Sequence, residues 1–177
     1  MFEKGFLQDV RHNLWECFFI THSLRKDLPM KLTTIIPVHN AEKYITATLD
    51  SVLQQDLGNP EELEVICVDD ASTDASVALI KDYQQKDSRI RLFLNEKTRF
   101  AGACRNKGIE EAHGDYLHFL DADDLVEKGA YQKYLSIAEQ AGADMVKGCA
   151  VCFDNETGEL SDTPLFALSD VPAECFD

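Results

Sequence analysis

From about residue 30 onward the chain alternates between short apolar strands and amphipathic helices, and this alternation strongly limits its fold. Apolar runs typical of buried strands are found at 32–36, 63–68, 90–94, 116–120 and 145–153. The segments between them carry apolar residues at helical spacing, and repeated strand–helix–strand order indicates a parallel sheet with helices on both faces. Right-handed crossovers place the carboxyl ends of the strands along one edge. We therefore predict an α/β fold with a Rossmann-like, mostly parallel sheet flanked by helices.

Residues 1–29 do not follow this alternation. Apolar residues such as Leu7, Val10 and Leu14 recur at helical spacing, and Pro29 is a stop signal. We predict an N-terminal helical extension over 1–29 and a domain over 30–177. The apolar cluster around Trp15 leaves membrane-surface attachment open, although packing against the domain is the favoured alternative.

The composition restricts the partners of the chain. Hydrophobic residues make up 45% of it, which is too many for a disordered protein. The formal net charge of -15 argues against a nucleic-acid partner, because such a partner requires a cationic surface. An acidic protein that binds a diphosphate must supply a metal ion, local basic groups or helix N-termini.

The cysteine pattern and the lack of a long apolar segment predict a cytoplasmic protein. The six cysteines show no disulfide-framework spacing, and the pair Cys149 and Cys152 has no second ligand pair for zinc. No run approaches the roughly 18 apolar residues of a membrane span, and the N-terminus lacks a basic region before an apolar core.

Ligands of open α/β sheets bind beyond the carboxyl ends of the strands, so the residues just after each strand are candidates. The first strand ends in Pro37-Val38-His39-Asn40, with Glu42 two residues later. A simple strand-to-helix turn, with Asn40 as a helix cap, explains Pro37 and Asn40. It does not explain His39, whose flat ring could lie against a nucleobase.

Two adjacent carboxylates, Asp69 and Asp70, end the second strand. One of them can face the crevice and accept a hydrogen bond from a base or a ribose. The residues that follow, Ser72 to Asp74, are suitable N-caps for the next helix.

The strand that ends at Leu120 is followed by Asp121-Ala122-Asp123-Asp124. Alternation along an extended chain directs Asp121 and Asp123 to the same side, where both can reach one hard cation. We predict that they bind Mn²⁺ or Mg²⁺, which would neutralise charge on a departing diphosphate. A solvated helix start is the alternative reading of such an acidic run.

The segment from Phe100 to Gly108 is rich in small residues. Small side chains at 101–104 allow a helix N-terminus to approach a backbone or a ligand closely. Arg105 either reaches a phosphate or serves as a structural ion-pair partner of the acidic run.

Taken in order, these motifs resemble the family 2 glycosyltransferases with the GT-A fold. The stretches that carry the likeness are TTIIPVHNAEKYITATLDSVLQQ, EVICVDDASTD and AGACRNKGIEEAHGDYLHFLDADD, within about residues 30–153. The resemblance implies inverting, metal-dependent transfer from a nucleotide-diphospho-sugar, commonly a uridine one, to the hydroxyl of a glycan or lipid-linked acceptor. The donor-binding residues that it implies are Pro37, Val38, His39, Glu42, Asp69, Asp70, Arg105 and Asp121, with Asp121 and Asp123 as metal ligands.

This sequence departs from the family pattern in three respects. His39 stands where the family often has tyrosine, Phe100 where glycine is common, and Cys104 in place of a usual alanine. The family's catalytic base and acceptor-binding half lie further along a longer chain, and no motif selects a base from the acidic residues after 158. A truncated or non-catalytic nucleotide-sugar-binding module is therefore the alternative function. A phospho-receiver domain ranks behind both, because the first strand ends in Pro37-Val38-His39 and not in acidic residues.

Overall fold

The computed structural model describes residues 17–20 and 31–148. Its strands are β1 (Cys17–Ile20), β2 (Leu32–Val38), β3 (Leu63–Asp69), β4 (Ile90–Leu94), β5 (Tyr116–Phe119) and β6 (Met145–Lys147). Its helices are α1 (Ile45–Leu53), α2 (Ser76–Lys86), α3 (Phe100–Glu111) and α4 (Ala130–Ala141). Every strand and helix that the sequence predicts between residues 32 and 148 is present, with ends shifted by a few residues.

The described strands form one sheet in the order β4-β3-β2-β5-β1-β6. β2 pairs in parallel with β3 and with β5, and β3 pairs in parallel with β4. β1 runs antiparallel to both of its neighbours, β5 and β6. The prediction of an α/β fold with a mostly parallel sheet is confirmed.

The helix predicted over residues 1–29 is wrong at Cys17–Ile20, where the chain forms β1. These four residues are apolar, and bulky apolar and aromatic residues fit a pleated sheet well. Their backbone groups pair on both sides, since Phe18 lies opposite His118 of β5 and Val146 of β6. Such long-range pairing is invisible to local helical spacing. The rest of this stretch, and the strand and turn predicted beyond residue 148, lie outside the described residues.

Alternate residues of β2 face opposite sides of the sheet, as strand geometry requires. Ile36 and Val38 belong to a core cluster to which α1, α2 and α4 also contribute. Ile35, which directly precedes Ile36, faces the other side of the sheet and packs in a second cluster with Cys104 of α3. The chain thus runs from β2 to β4 across one face and returns to β5 across the other. Strand order reverses at β2, and in open α/β sheets the crevice at such a reversal is the usual ligand site.

Helix α3 packs closely on the sheet at Gly108, where an added Cβ would overlap the buried side chain of Ile35. At Gly102 an added Cβ would meet nothing within 4 Å. Gly102 itself therefore makes no close contact, whereas Cys104 in the same stretch is fully buried against the sheet. None of the helices within residues 31–148 is long and apolar enough to cross a membrane.

Candidate functional site

A cleft of about 310 Å³ opens at the carboxyl ends of β2, β3 and β5. This volume lies at the lower end of the range for small-molecule sites. The predicted site residues that line the cleft are Pro37, Val38, His39, Asp70, Arg105, Asp121 and Asp123. Two predicted residues, Glu42 and Asp69, do not line it.

The turn after β2 forms one wall of the cleft. His39 is exposed, and its Nδ1 lies 2.8 Å from the backbone oxygen of Asp70, which fixes the ring at the cleft edge. Asn40 has a φ of 50°, a left-handed conformation that asparagine tolerates better than most residues. Asn40 does not cap α1, whose N-cap is Tyr44. Instead, the Asn40 side-chain oxygen accepts a hydrogen bond of 2.8 Å from the backbone N–H of Thr73.

Glu42 lies against the loop between β3 and α2 and outside the cleft. Its Oε2 accepts a hydrogen bond of 2.9 Å from the backbone N–H of Ala75, the N-cap of α2. Its own N–H donates to Asp74 Oδ2 over 3.0 Å. The backbone turns at Asn40, and Glu42 then faces the start of α2. This placement gives Glu42 a structural contact and does not support the predicted donor contact.

Asp70 faces the cleft and is held by the start of α3. Its Oδ1 accepts hydrogen bonds from the backbone N–H of Arg99 (2.7 Å) and from Asn95 Nδ2 (3.1 Å), and its Oδ2 accepts one from the Phe100 N–H (2.8 Å). Burial opposes ionisation, but these hydrogen bonds outweigh it and lower the pKa of Asp70. The carboxylate is therefore ionised and rigidly placed.

Asp69 does not line the cleft. It is only 3% exposed, and its Oδ2 accepts a hydrogen bond of 3.1 Å from the backbone N–H of Ser72. Adjacent strand residues face opposite sides, so Asp69 and Asp70 cannot both enter the crevice. Within the described residues, Asp69 Oδ1 is buried and has no hydrogen-bond partner.

The acidic segment follows β5, and its side chains alternate in direction as the sequence predicts. Ala122 is buried, whereas Asp121 and Asp123 are exposed and both line the cleft. Asp124 lies outside the cleft lining. The pKa of Asp124 is raised to about 6, although its side chain is exposed at the surface. The larger cause is partial desolvation by neighbouring atoms, and the smaller is repulsion from the carboxylates of Asp121 and Asp123.

The acidic segment fits a divalent cation that is shared with a bound anion. Among the described residues, no group of three or more His, Cys, Asp or Glu side chains converges as a metal cage. Asp121 and Asp123 can contribute two carboxylates. Mg²⁺ and similar hard ions are commonly held by one or two carboxylates together with water and substrate phosphates. The donor set is thus compatible with a metal–diphosphate complex.

Arg105 crosses the cleft from α3 and forms an ion pair with Asp121. Its Nη2 donates to Asp121 Oδ1 over 2.6 Å, and the two side chains are 20% and 50% exposed. Of the two roles that the sequence allowed, the ion pair is the one present. Arg105 Nε is buried and has no hydrogen-bond partner in the described part of the chain.

Several lining residues escaped the sequence analysis, most notably Tyr44 and Cys104. Tyr44 is 40% exposed at the cleft, although its spacing places it with the apolar face of α1. In the structure Tyr44 is the N-cap of α1 and lies ahead of the first turn, so it does not share that face. Cys104 is buried at the cleft floor and receives a hydrogen bond from Asn95.

A mostly parallel α/β sheet with an acidic segment at this crevice is the arrangement of a GT-A domain, and comparison with known proteins agrees. Residues 33–171 match the family model described as Glycosyl transferase family 2. The chain belongs to glycosyl transferase family 2.

Relatives and solved structures place the chain within this enzyme family. An uncharacterized glycosyltransferase of Haemophilus influenzae is 36% identical over 129 residues, which cover 73% of this chain and 50% of that protein. The crystal structure of S. aureus TarS 1-349 in complex with UDP-GlcNAc is similar with a TM-score of 0.61 and 32% identity, covering 65% of this chain and 33% of that one. The mannosyltransferase PcManGT from Pyrobaculum calidifontis, in complex with GDP-Man and Mn2+, has a TM-score of 0.57 and 26% identity, with coverage of 66% and 33%. The chain therefore spans at most about half the length of these proteins.

Proposed function

We propose that the cleft binds a nucleotide-diphospho-sugar together with Mn²⁺ or Mg²⁺, and that the protein transfers the sugar, with inversion, to an acceptor hydroxyl. The observation that carries this proposal is the placement of Asp121 and Asp123 across one cleft from Asp70 and His39. The TarS structure with UDP-GlcNAc supports a uridine diphosphate donor, and the PcManGT structure with Mn2+ supports a metal.

The two ends of the cleft suit the two ends of such a donor. Pro37, Val38 and His39 line the cleft together with the ionised Asp70, an arrangement suited to a nucleobase and its polar edge. At the opposite end, Asp121 and Asp123 would hold the metal ion, and Arg105 offers a charged donor to phosphate oxygens. The bound ion would supply charge neutralisation as the diphosphate departs, which is stabilisation that grows in the transition state.

Transfer to an acceptor also needs a general base that deprotonates the acceptor hydroxyl. None of the described residues is assigned as the general base, and the acidic candidates after residue 158 lie outside the described range. We propose that residues 30–177 provide the donor half of a GT-A domain and that the acceptor is a glycan or a lipid-linked glycan. With such an acceptor, the protein would act in the cytoplasm, at the periphery of a membrane.

Calorimetric titration of UDP tests the donor site. We expect UDP to bind in the presence of Mn²⁺ and to show no measurable binding when EDTA replaces the metal. GDP serves as the matched ligand, since it has the same diphosphate and a different base. Equal heats from UDP with and without metal, or no binding of any nucleoside diphosphate, would refute the proposed site.

A nucleotide-sugar-binding module without transfer is the second candidate, because the chain covers only 50% of the H. influenzae relative. Both candidates predict the same UDP binding. Release of UDP from a UDP-sugar in the presence of Mn²⁺ separates them. An enzyme releases UDP at a rate above that of the metal in buffer, whereas a binding module does not.

A further inference from the structure

A buried polar stripe on α1 contacts the loop that follows the acidic segment. Thr48, Ser51 and Gln55 are spaced by three and four residues, so they follow one another along the same side of the helix. Thr48 and Ser51 lie within α1, and Gln55 follows its C-cap. Their exposures are 0%, 5% and 4%, which is unusual for polar side chains.

The stripe bonds to the backbone of the loop at successive points. Thr48 Oγ1 donates to the Ala122 carbonyl over 2.8 Å. Ser51 Oγ accepts from the Val126 N–H over 3.1 Å and donates to the Thr48 carbonyl over 2.7 Å.

Gln55 continues the same pattern at the far end of the loop. Its Nε2 donates to the Glu127 carbonyl over 3.0 Å, and its Oε1 accepts from the Gly129 N–H over 3.1 Å and from the Tyr131 N–H over 3.4 Å. Together the three side chains bond four backbone groups of the loop, at residues 122, 126, 127 and 129, and one in the first turn of α4, at Tyr131.

These contacts supply partners that the loop cannot provide for itself. Between β5 and α4 the chain forms neither helix nor strand, so its backbone groups lack the regular partners of those structures. Buried backbone groups without partners are strongly disfavoured, and buried hydroxyls and amides are equally disfavoured unless they are bonded. The side chains of the stripe and the backbone groups of the loop therefore supply hydrogen-bond partners to each other.

The contact at Ala122 fixes the peptide between the two cleft carboxylates. The Ala122 side chain is buried and its carbonyl is bound by Thr48, so the flanking side chains of Asp121 and Asp123 are directed to the cleft. Two carboxylates so close repel each other, and only a rigid backbone keeps both at one site.

We propose that Thr48, Ser51 and Gln55 are positioning residues that hold Asp121 and Asp123 in the geometry needed for the metal–diphosphate group. This inference rests on the proposed donor site. It predicts that the stripe affects metal-dependent UDP binding without touching UDP.

Isosteric replacement of Thr48 provides the test. Thr48→Val removes the hydroxyl, whereas Thr48→Ser retains it. With Mn²⁺ present, we expect Thr48→Val to weaken UDP binding by about five- to tenfold, the range for loss of one buried hydrogen bond, and Thr48→Ser to bind nearly as well as the unchanged protein. Ser51→Ala, which removes the acceptor for the Val126 N–H, is the second variant if Thr48→Val does not fold.

Thr33→Val is the matched control for a general loss of stability. Thr33 is also fully buried, and its hydroxyl donates to Glu64 over 2.7 Å and accepts from the Gly114 N–H over 2.9 Å, at the opposite end of β2 from the cleft. This variant should lose stability and keep its UDP affinity. If Thr33→Val weakens UDP binding as much as Thr48→Val does, or if Thr48→Val binds normally, the inference is wrong.

Hydrogen exchange in the ligand-free protein separates the inference from the proposed function. Thr48→Val should speed amide exchange in residues 121–129, and Thr33→Val should not. Unchanged exchange in Thr48→Val refutes the positioning role whatever UDP does. If exchange is faster in Thr48→Val but the unchanged protein does not bind UDP with Mn²⁺, the contact between Thr48 and the loop is real and the proposed donor site is wrong. The inferred role of the stripe in ligand binding is then wrong as well.

Discussion

The guanidinium of Arg105 lies 2.6 Å from Asp121, one of the two carboxylates that we propose as metal ligands. In the ligand-free protein the side-chain cation thus occupies a place that a metal ion would need. Partly exposed ion pairs contribute about 1 kcal/mol or less, so a divalent ion can displace this one. Arg105 would then be released toward the phosphate groups that arrive with the metal.

Arg105→Gln should raise the affinity of the protein for Mn²⁺ in the absence of nucleotide, because the competing cation is removed. We expect an increase of about two- to fivefold, as measured by the fall in free Mn²⁺ in an electron paramagnetic resonance titration. Lys107→Gln removes the same charge from the same helix, where Lys107 pairs with Glu111, and should have a smaller effect. An unchanged or weaker Mn²⁺ affinity in Arg105→Gln would show that Asp121 is not a metal ligand.

Phe100 adopts a conformation that normally belongs to glycine, with a φ of 65° and a side chain that is 78% exposed. Phe100→Gly should therefore raise the free energy of unfolding by about 1 kcal/mol, because little packing is lost and strain is relieved. Urea denaturation measures the change. Ala101→Gly, at the next position of α3, should instead lower stability by about 0.5–1 kcal/mol. Destabilisation by Phe100→Gly would mean that the aromatic ring makes stabilising contacts.

His118 makes stability depend on pH. It is fully buried on β5, with Nδ1 2.8 Å from the Tyr131 hydroxyl, and burial lowers its pKa to about 3. As pH falls below the ordinary histidine value of about 6.5, the unfolded chain binds a proton that the folded protein does not bind. The free energy of unfolding should then fall by up to about 1.4 kcal/mol per pH unit.

Urea denaturation of His118→Gln and of the unchanged protein, at about pH 7.5 and about pH 5.5 with EDTA present, isolates this effect. The loss of stability between the two pH values should be smaller in His118→Gln by about 1 kcal/mol. The raised pKa of Asp124 acts in the opposite direction in this window, but it is common to both proteins and cancels in the difference. Parallel pH profiles would show that His118 titrates normally in the folded state.

The strands and helices between residues 32 and 148 could be predicted because their causes are local. Apolar runs and helical spacing lie within short windows, and parallel order then places the strand ends together, as at Asp70 and Asp121. Side-chain direction after a strand was harder to predict. Asn40 and Ala71 have φ values of 50° and 59°, and these turns decide that Glu42 contacts α2 while His39 contacts the Asp70 backbone.

Pairing between strands that lie far apart in the sequence was the other feature that could not be predicted. β1 forms between β5 and β6, where the partners of Phe18 are His118 and Val146, about 100 residues or more away in sequence, and no nearby residue signals it. The stripe of Thr48, Ser51 and Gln55 left a weak trace, since its polar residues recur at helical spacing beside the apolar face of α1. Only the contacts with the loop after β5 show what that spacing does.

The most direct test of the central claim is the thermal unfolding midpoint in saturating UDP, with Mn²⁺ and with EDTA. At about one hundred times the dissociation constant, binding adds about 2.7 kcal/mol, which corresponds to a rise of about 5 °C or more. We predict this rise only with Mn²⁺, its loss in Asp123→Asn, and its retention in Asp82→Asn, which makes the same change at an exposed position of α2. No metal-dependent rise in the unchanged protein, or a full rise in Asp123→Asn, would contradict the account.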